Sequence, residues 1–176
     1  MPPGFRHGSC RRNYRAVSCT LVTLHVARAM NRSNLTDLEE ALTWYIENFR
    51  KPGLPDLKIT DLYDLFPPSP DDSLQTQWPA PWPNVNSAGV YFVFDTNRLL
   101  VYIGKSSMNS SVGFRLSSYF GFDENRKCRL KHPQSWVGKP RYVATIGMEP
   151  EYRFEAPALE EYLIARLPTT DNRAGA

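Results

Sequence analysis

The chain has 176 residues, of which 41% are hydrophobic and 22% are charged. This balance supports one compact domain with an appendage and argues against disorder over the whole length. No stretch approaches the roughly 20 apolar residues of a membrane-spanning helix, so we expect no membrane partner. The three cysteines, Cys10, Cys19 and Cys128, contain no CxxC pair. They predict neither a disulfide framework nor a structural zinc site, and they favour a reduced, cytoplasmic protein.

Charge is distributed unevenly along the chain. Residues 1–36 contain six arginines and no acidic residue, and residues 37–85 contain three basic and nine acidic residues. Residues 86–176 contain twelve basic and nine acidic residues. The C-terminal half therefore has a small excess of positive charge, and it is the part of the chain that suits binding to a polyanion.

Residues 1–29 differ in composition from the rest. A basic start and a modest apolar run at residues 16–27 loosely imitate a signal peptide, although polar residues such as Ser18 and Thr20 dilute the run. Three interpretations stay open: a wrongly chosen start codon with initiation at Met30, a disordered tail, or a targeting segment.

Residues 30–66 are predicted to form a helical extension. Thr36 and Glu39 have the spacing of a capping box at a helix start. Apolar residues follow at helical spacing, namely Leu38, Leu42, Tyr45 and Phe49. Residues 51–53 (Lys-Pro-Gly) end this helix, and a second short helix is predicted at residues 60–66. The acidic segment 36–50 would pack on the rest of the chain, bind a protein partner or self-associate.

Residues 67–86 are rich in proline and predict an extended connector. Its two tryptophans, Trp78 and Trp82, are expected to pack on the body of the protein rather than remain free.

From residue 87 to residue 176 the sequence predicts a small α/β (α+β) domain. The pattern predicts, in order, strands at residues 89–95 and 99–103, a helix at 112–120, a polar and basic excursion at 121–140, a strand at 141–148 and a helix at 154–167. The first two strands are joined by turn residues and form an antiparallel hairpin. The order β-β-α-β-α implies a central antiparallel sheet with helices packed against it.

The sequence lacks the motifs of several common hydrolytic sites, including GxxxxGK[ST], HExxH and GxSxG. Two tyrosines, Tyr91 and Tyr102, lie eleven residues apart across the predicted hairpin, so both can project from one end of one face of the sheet. Arg115 and Tyr119 are four residues apart on the next predicted helix and would share a face. Each also has an ordinary interpretation, because a strand tyrosine usually packs in the core and a helical arginine is usually solvated.

These residues resemble the GIY-YIG nuclease superfamily. The resemblance is carried, in chain order, by Gly89-Val90-Tyr91, Tyr102-Ile103-Gly104, Lys105, Arg115, Tyr119, Glu160 and Asn172. Valine replaces the isoleucine of the first triplet, and the Leu-Ile pair at 163–164 favours Glu160 over Glu161 as the metal-binding glutamate. The resemblance covers residues 87–173 and looks closest to the nuclease domains of bacterial excision-repair and related stand-alone proteins. Extra residues at 106–113 and the long excursion lie where substrate would approach, so the substrate class stays open.

The resemblance implies hydrolysis of phosphodiester bonds with one divalent cation, Mg²⁺ or Mn²⁺, bound by Glu160. Arg115 would clamp the phosphate with its planar guanidinium. Tyr91 is the candidate general base. Because the ordinary pKa of tyrosine is about 10, Tyr91 would need nearby positive charge, for which Lys105 and the metal are the candidate sources.

The remaining matched residues have supporting roles in this scheme. Tyr102 and Tyr119 would orient water and phosphate. Gly89 and Gly104 are structural, and Asn172 would hold the end of the domain or the helix that carries the glutamate. The ordinary alternatives are a surface role for Lys105, helix packing for Tyr119 and a helix cap for Asn172.

A basic run in the excursion is the second candidate contact with nucleic acid. Its charged residues are Arg126, Lys127, Arg129 and Lys131, which contact the nucleic-acid backbone or form a solvated loop. The sequence therefore predicts a small endonuclease acting on nucleic acid, with DNA repair as one expected context and DNA as the expected substrate. The alternatives are a non-catalytic nucleic-acid-binding or protein-interaction module on the same fold, and a scaffold whose acidic helix mediates assembly.

Overall fold

The computed structural model describes residues 32–69 and 74–172, so the interpretations of residues 1–29 fall outside the described residues. The described elements are helices α1 (Leu35–Phe49), α2 (Val112–Ser117) and α3 (Glu155–Arg166), and strands β1 (Tyr63–Asp64), β2 (Ala88–Phe94), β3 (Leu100–Ser106), β4 (Phe120–Phe122), β5 (Cys128–Leu130) and β6 (Tyr142–Met148). This confirms a mixed α+β fold with an antiparallel sheet. Within the described ranges, every helix is too short or too polar to cross a membrane.

The main sheet has four antiparallel strands in the order β1-β6-β2-β3. The predicted hairpin is confirmed as β2–β3, in which Tyr91 lies opposite Gly104 and Val93 lies opposite Tyr102. Asp95 shapes its turn, because Asp95 Oδ1 accepts hydrogen bonds from the backbone N–H groups of Asn97 and Leu99. The hairpin thus places β3 at one edge of the sheet, with β2 inside.

Strand alternation divides the core into two clusters on opposite faces of the sheet. The helix face carries apolar side chains that pack with α1 and α3, among them Val90, Phe92, Phe94, Ile103 and Ile146. The tyrosine face carries Tyr91, Val93, Tyr102 and Val143, which pack with α2 and the proline-rich connector. Position 102 and position 103 therefore belong to different sides of the protein.

Helix α1 begins two residues earlier than the capping pattern at Thr36 and Glu39 predicts. Asn34 is the N-cap: its Oδ1 accepts hydrogen bonds from the N–H groups of Thr36 and Asp37, at 2.8 and 3.2 Å. Asp37 returns the interaction by accepting from the Asn34 N–H at 2.8 Å. Asparagine and aspartate form this box as well as Thr and Glu do, because both place an acceptor near the free N–H groups of the first turn.

The second predicted helix, at residues 60–66, is wrong. These residues are extended, and β1 pairs with β6 through Tyr63 and Val143. Thr60 N–H also donates to the Thr145 carbonyl at 3.0 Å. The outer edge of β6 offers unpaired backbone groups, and pairing with them outweighs the weak helical preference of a seven-residue segment.

The connector packs on the body as predicted. Trp78 is buried, and its indole N–H donates to the Arg126 carbonyl at 2.9 Å. Trp82 is partly buried, with its ring centroid 5.7 Å from that of Trp78. This packing covers part of the tyrosine face.

Helix α2 is shorter than the predicted span of residues 112–120. It ends at Ser117, and the following residues pair as the β4–β5 hairpin, which begins at Phe120 and continues into the polar and basic excursion at residues 121–140. The Lys131 N–H donates to the Tyr119 carbonyl at 2.8 Å and extends that hairpin. Tyr119 is therefore outside the helix, and Phe114 within it is 70% exposed.

Candidate functional site

Three of the predicted tyrosines form one cluster on the tyrosine face. The ring centroids of Tyr91, Tyr102 and Tyr119 are separated by 6.0 to 6.3 Å. Tyr91 and Tyr102 occupy diagonal positions on β2 and β3, which is the geometry that the hairpin pattern predicts. Tyr91 is fully buried, whereas Tyr102 and Tyr119 keep part of their surface in solvent.

Two glycines make room for this arrangement. A Cβ atom on Gly104 would lie 2.5 Å from the ring and hydroxyl of Tyr91 and 2.7 Å from the ring of Tyr102. A Cβ atom on Gly89 would lie 1.9 Å from the Ile146 carbonyl oxygen of the neighbouring strand. A larger residue at either position would therefore have to displace these neighbours.

Arg115 is the cation beside the tyrosines. Its side chain is exposed at the end of α2 and lies close enough to Tyr91 and Tyr119 for their charges to raise its pKa, with Tyr91 as the main cause. In turn, Arg115 favours ionised Tyr91, but burial dominates and holds the pKa of Tyr91 well above its usual range. The Tyr91 hydroxyl makes no hydrogen bond of normal geometry to the described residues.

Lys105 lies on the other side of the sheet from the tyrosine cluster. It follows Gly104 on β3, and its ammonium forms an ion pair with Glu160 of α3, a helix that packs on the helix face. The expectation that Lys105 supplies positive charge to Tyr91 stays a prediction: Lys105 pairs with Glu160, and the cation that acts on Tyr91 is Arg115. Alternation along β3 sends adjacent side chains to opposite faces, and Arg115 takes the place beside Tyr91.

Glu160 nevertheless acts on the tyrosine cluster through the edge of the sheet. Its side chain is 12% exposed, and its charge contributes to raising the pKa of Tyr102, behind burial and the interaction with Tyr119. Because β3 is the edge strand, a carboxylate beside it can be close to residues on either face. The site is thus divided: Arg115 and the tyrosines occupy one face, and Glu160 with Lys105 approaches from the other.

Asn172 binds the free edge of β3 between these two groups. Its Oδ1 accepts from the Ile103 N–H and its Nδ2 donates to the Ile103 carbonyl, both at 2.7 Å. One residue earlier, the Asp171 N–H donates to the Val101 carbonyl at 3.0 Å. The chain after α3 therefore occupies the position of an additional strand, next to Tyr102.

Sequence reasoning missed two residues at this site, Trp136 and Asp171. The Trp136 ring lies edge-on to Tyr102 and Tyr119, at centroid distances of 5.8 and 5.6 Å. Both carboxylate oxygens of Asp171 accept backbone hydrogen bonds, from Val137 at 2.6 Å and Gly138 at 2.9 Å. Trp136 is a single tryptophan in the polar segment 121–140. Because so large a ring needs an apolar contact, this could have indicated that the segment packs on the domain at that point.

The basic run occupies the exposed side of the β4–β5 hairpin and the residues that flank β5. Its side chains, those of Arg126, Lys127, Arg129 and Lys131, are exposed, while Cys128 between them packs into the tyrosine-face cluster. The hairpin continues directly from Tyr119. Solvated loop and backbone-binding surface are both compatible with this placement.

The residues present fit a cation that needs few protein ligands. No group of three or more His, Cys, Asp or Glu side chains is arranged for a metal within the described part of the chain. Glu160 alone offers a partly buried carboxylate, and its ion pair with Lys105 would have to be shared or exchanged. Mg²⁺ commonly binds through one or two carboxylates and completes its shell with waters and phosphate oxygens.

No protein-family model matches the sequence, no curated protein matches it significantly, and no solved structure is significantly similar to it.

Proposed function

We propose that this chain is a cytoplasmic endonuclease of the GIY-YIG type, which hydrolyses phosphodiester bonds in nucleic acid, with DNA as the expected substrate. One observation carries the proposal. Arg115 and three tyrosines, Tyr91, Tyr102 and Tyr119, gather on one face of the sheet beside its edge strand β3. The charge of Glu160 reaches Tyr102 from the other face. The same residues carry the sequence resemblance.

The two charged groups have complementary tasks in this proposal. Arg115 is exposed and can bind two phosphate oxygens with its planar guanidinium. Glu160 would hold Mg²⁺ or Mn²⁺, which would supply positive charge to a phosphate oxygen. Lys105, paired with Glu160, would orient the carboxylate and contact the phosphate backbone.

The proton acceptor for the attacking water is one of the tyrosines on β2 and β3. Tyr91 was the first candidate, but it has no exposed surface, and burial keeps its phenol protonated at neutral pH. Tyr102 is partly exposed, so its hydroxyl can contact the attacking water, although burial, Tyr119 and the charge of Glu160 raise its pKa. A cation held by Glu160 would offset that negative charge and favour the phenolate. We assign the role of proton acceptor to Tyr102. Tyr91 is a positioning residue, because its buried ring packs beside the rings of Tyr102 and Tyr119. Tyr119 would orient the phosphate beside Arg115.

The test compares cleavage of supercoiled plasmid and of a branched DNA in Mg²⁺ and Mn²⁺. We expect Glu160→Ala and Arg115→Ala each to lower the rate by about a hundredfold or more, because each removes charge stabilisation from the transition state. Matched controls are Glu161→Ala and Arg166→Ala, which remove exposed residues of the same types from α3. If the wild-type chain and both site variants cut equally well, the site assignment fails.

The alternative is a nucleic-acid-binding module without hydrolysis. It is favoured by the ion pair between Lys105 and Glu160, because the lysine ammonium already neutralises the carboxylate in place of a metal ion. It is also favoured by the exposed basic residues of the β4–β5 hairpin. Salt-dependent binding of DNA or RNA without nicking in several divalent metals would support it.

A protein partner or self-association through residues 36–50 remains a separate proposal. Most apolar residues of α1 are covered by α3, but Trp44 is 39% and Phe49 is 60% exposed, and their rings contact each other at 5.2 Å. Light scattering of the wild-type chain and of Phe49→Ser tests it, because loss of an association mass would identify this contact.

A further inference from the structure

Trp136 completes an aromatic surface at the rim of the candidate site. The aromatic shelf, as we call it, consists of Tyr102, Tyr119 and Trp136, whose ring centroids are 5.6 to 6.0 Å apart. All three side chains are partly exposed. A core cluster would bury such rings, so the exposed part of the shelf is surface that can accept a ligand.

The position of Trp136 is fixed by hydrogen bonds to the backbone of the residues that follow it and by close packing against β3. Asp171 accepts hydrogen bonds from the N–H groups of the two residues after Trp136, Val137 and Gly138. Gly138 approaches β3 so closely that a Cβ atom there would lie 2.6 Å from the Val101 side chain. The ring also stacks on Phe120, at 6.3 Å with an angle of 18° between the planes. Trp136 is therefore ordered before any ligand binds, which lowers the cost of binding to it.

The shelf and Arg115 together match the chemistry of one nucleotide. Tyr119 belongs to the shelf and also lies beside Arg115, so an aromatic surface and a guanidinium are neighbours. A nucleotide presents the complementary pair, a flat base and a phosphate. In a duplex the face of each base is covered by the next base pair, so only an unpaired or flipped-out base can lie on a protein ring.

We propose that Trp136 stacks on an unpaired nucleobase and that the site consequently prefers single-stranded or flipped-out nucleotides over paired ones. The inference rests on the proposed function, because it concerns the substrate of the same site. It adds a specificity-determining residue that belongs to the excursion of this chain at residues 121–140. Asp171 acts through Trp136 and is a positioning residue.

The experiment measures binding in the absence of divalent metal, so that cleavage does not contribute. A fluorescent single strand of about 16 nucleotides and a blunt duplex of the same sequence are titrated with the full chain. The variants are Trp136→Leu, which keeps apolar bulk without a ring, and Trp136→Phe, which keeps a ring. Phe154→Leu is the control for loss of an exposed aromatic ring, because Phe154 is 66% exposed and its ring contacts Tyr152, away from the shelf and from Arg115.

We expect the wild-type chain to bind the single strand more tightly than the duplex. Trp136→Leu should weaken single-strand binding about tenfold, the size of one lost stacking contact, and leave duplex binding nearly unchanged. Trp136→Phe should restore most of the preference, and Phe154→Leu should match the wild type. Thermal melting establishes that each variant is folded.

Three results would overturn the inference: equal single-strand binding by Trp136→Leu and Phe154→Leu, equal weakening of both nucleic-acid forms, or no binding to either. The proposed activity is judged separately by cleavage. A chain that shows the expected binding pattern and never cuts refutes the nuclease and supports the stacking role of Trp136.

Discussion

Gly104 connects the sequence pattern to the geometry of the site more directly than any other residue. It lies opposite Tyr91 on the neighbouring strand, and the missing side chain leaves the space that the phenol occupies. The same position separates Tyr102, on one face, from Lys105, on the other. A side chain at position 104 would therefore disturb both halves of the candidate site.

We expect Gly104→Ala to lower the free energy of unfolding by about 1–3 kcal/mol, the usual cost of forcing an extra carbon into a packed core. The added Cβ would lie 2.5 Å from the Tyr91 ring, which is itself enclosed and cannot move freely. Urea unfolding measures the loss, and the proposed cleavage should fall with it.

Gly121→Ala is the matched control for this substitution. Its Cβ would lie 3.1 Å from the Lys131 Cε, the flexible part of an exposed side chain that can shift. A Gly104→Ala chain as stable as the Gly121→Ala chain would show that the Tyr91 ring is not confined as described.

Single residues also show how far sequence reasoning reaches. The period of a strand was sufficient to predict that Tyr91 and Tyr102 share a face, because both lie on a hairpin with a recognisable turn. The same alternation places Lys105 on the other face. Lys105 is a candidate source of positive charge for Tyr91 only because a tyrosine base needs a cation near it, not because of any strand pattern. Arg115 reaches Tyr91 from a separate element, which no local pattern specifies.

At the scale of elements, the end of the chain protects the edge of the sheet. Residues 171 and 172 bind the outer backbone groups of β3, where a further strand would otherwise pair. An exposed edge strand invites association with other chains, so this covering has a protective role as well as a positional one. It also holds β3 at the point where Tyr102 and the Glu160–Lys105 pair meet.

We expect Asn172→Ala to expose the Ile103 backbone and to destabilise the chain by about 1–2 kcal/mol, because one side chain supplies two hydrogen bonds. Amide hydrogen exchange measures the effect at the Ile103 N–H, which should exchange faster. Thr169→Ala, in the same segment, is the control. Unchanged exchange at Ile103 would contradict the bracing role of Asn172.

Elements with strong local patterns were predictable, and elements that depend on distant partners were not. The β2–β3 hairpin, β6 and α3 have long apolar periodicities and clear ends, and they lie where the sequence places them. Strand β1 has two residues and exists because β6 offers it an edge. Strands β4 and β5 have three residues each, which is too short for a recognisable pattern. Their pairing accompanies the packing of Cys128 and Trp78 into the tyrosine-face cluster, which no local pattern predicts.

At the scale of the whole molecule, side-chain contacts link helices α1 and α3 of the described residues. The Arg50 guanidinium donates to both oxygens of Glu155, at 2.6 and 3.1 Å, and the two side chains are only 6% and 10% exposed. The Tyr162 hydroxyl donates to the Ala41 carbonyl across the same contact. Residues 35–50 are thus packed against α3, the helix that carries Glu160.

Burial also gives the molecule a characteristic response to alkaline pH. It is the main cause that raises the pKa of Tyr45 to about 12 and of Cys128 to about 12, and it holds the pKa values of Tyr63, Tyr91 and Tyr102 well above their usual range. Each group keeps its proton more tightly in the folded chain than in the unfolded chain. The resulting stability is complete below the ordinary pKa, about 10 for tyrosine, and is lost as the pH rises towards the folded value.

We therefore expect the free energy of unfolding to be nearly constant around neutral pH and to fall steeply above about pH 10. Urea unfolding at a series of pH values measures this slope, and the part of the tyrosinate absorbance that comes from these four phenols should rise together with unfolding rather than before it. Tyr45→Phe should reduce the slope, because phenylalanine has no proton to lose. Stability that stays constant well beyond pH 10, or complete tyrosine ionisation in a chain that remains folded, would contradict the burial of these phenols and with it the enclosed position of Tyr91.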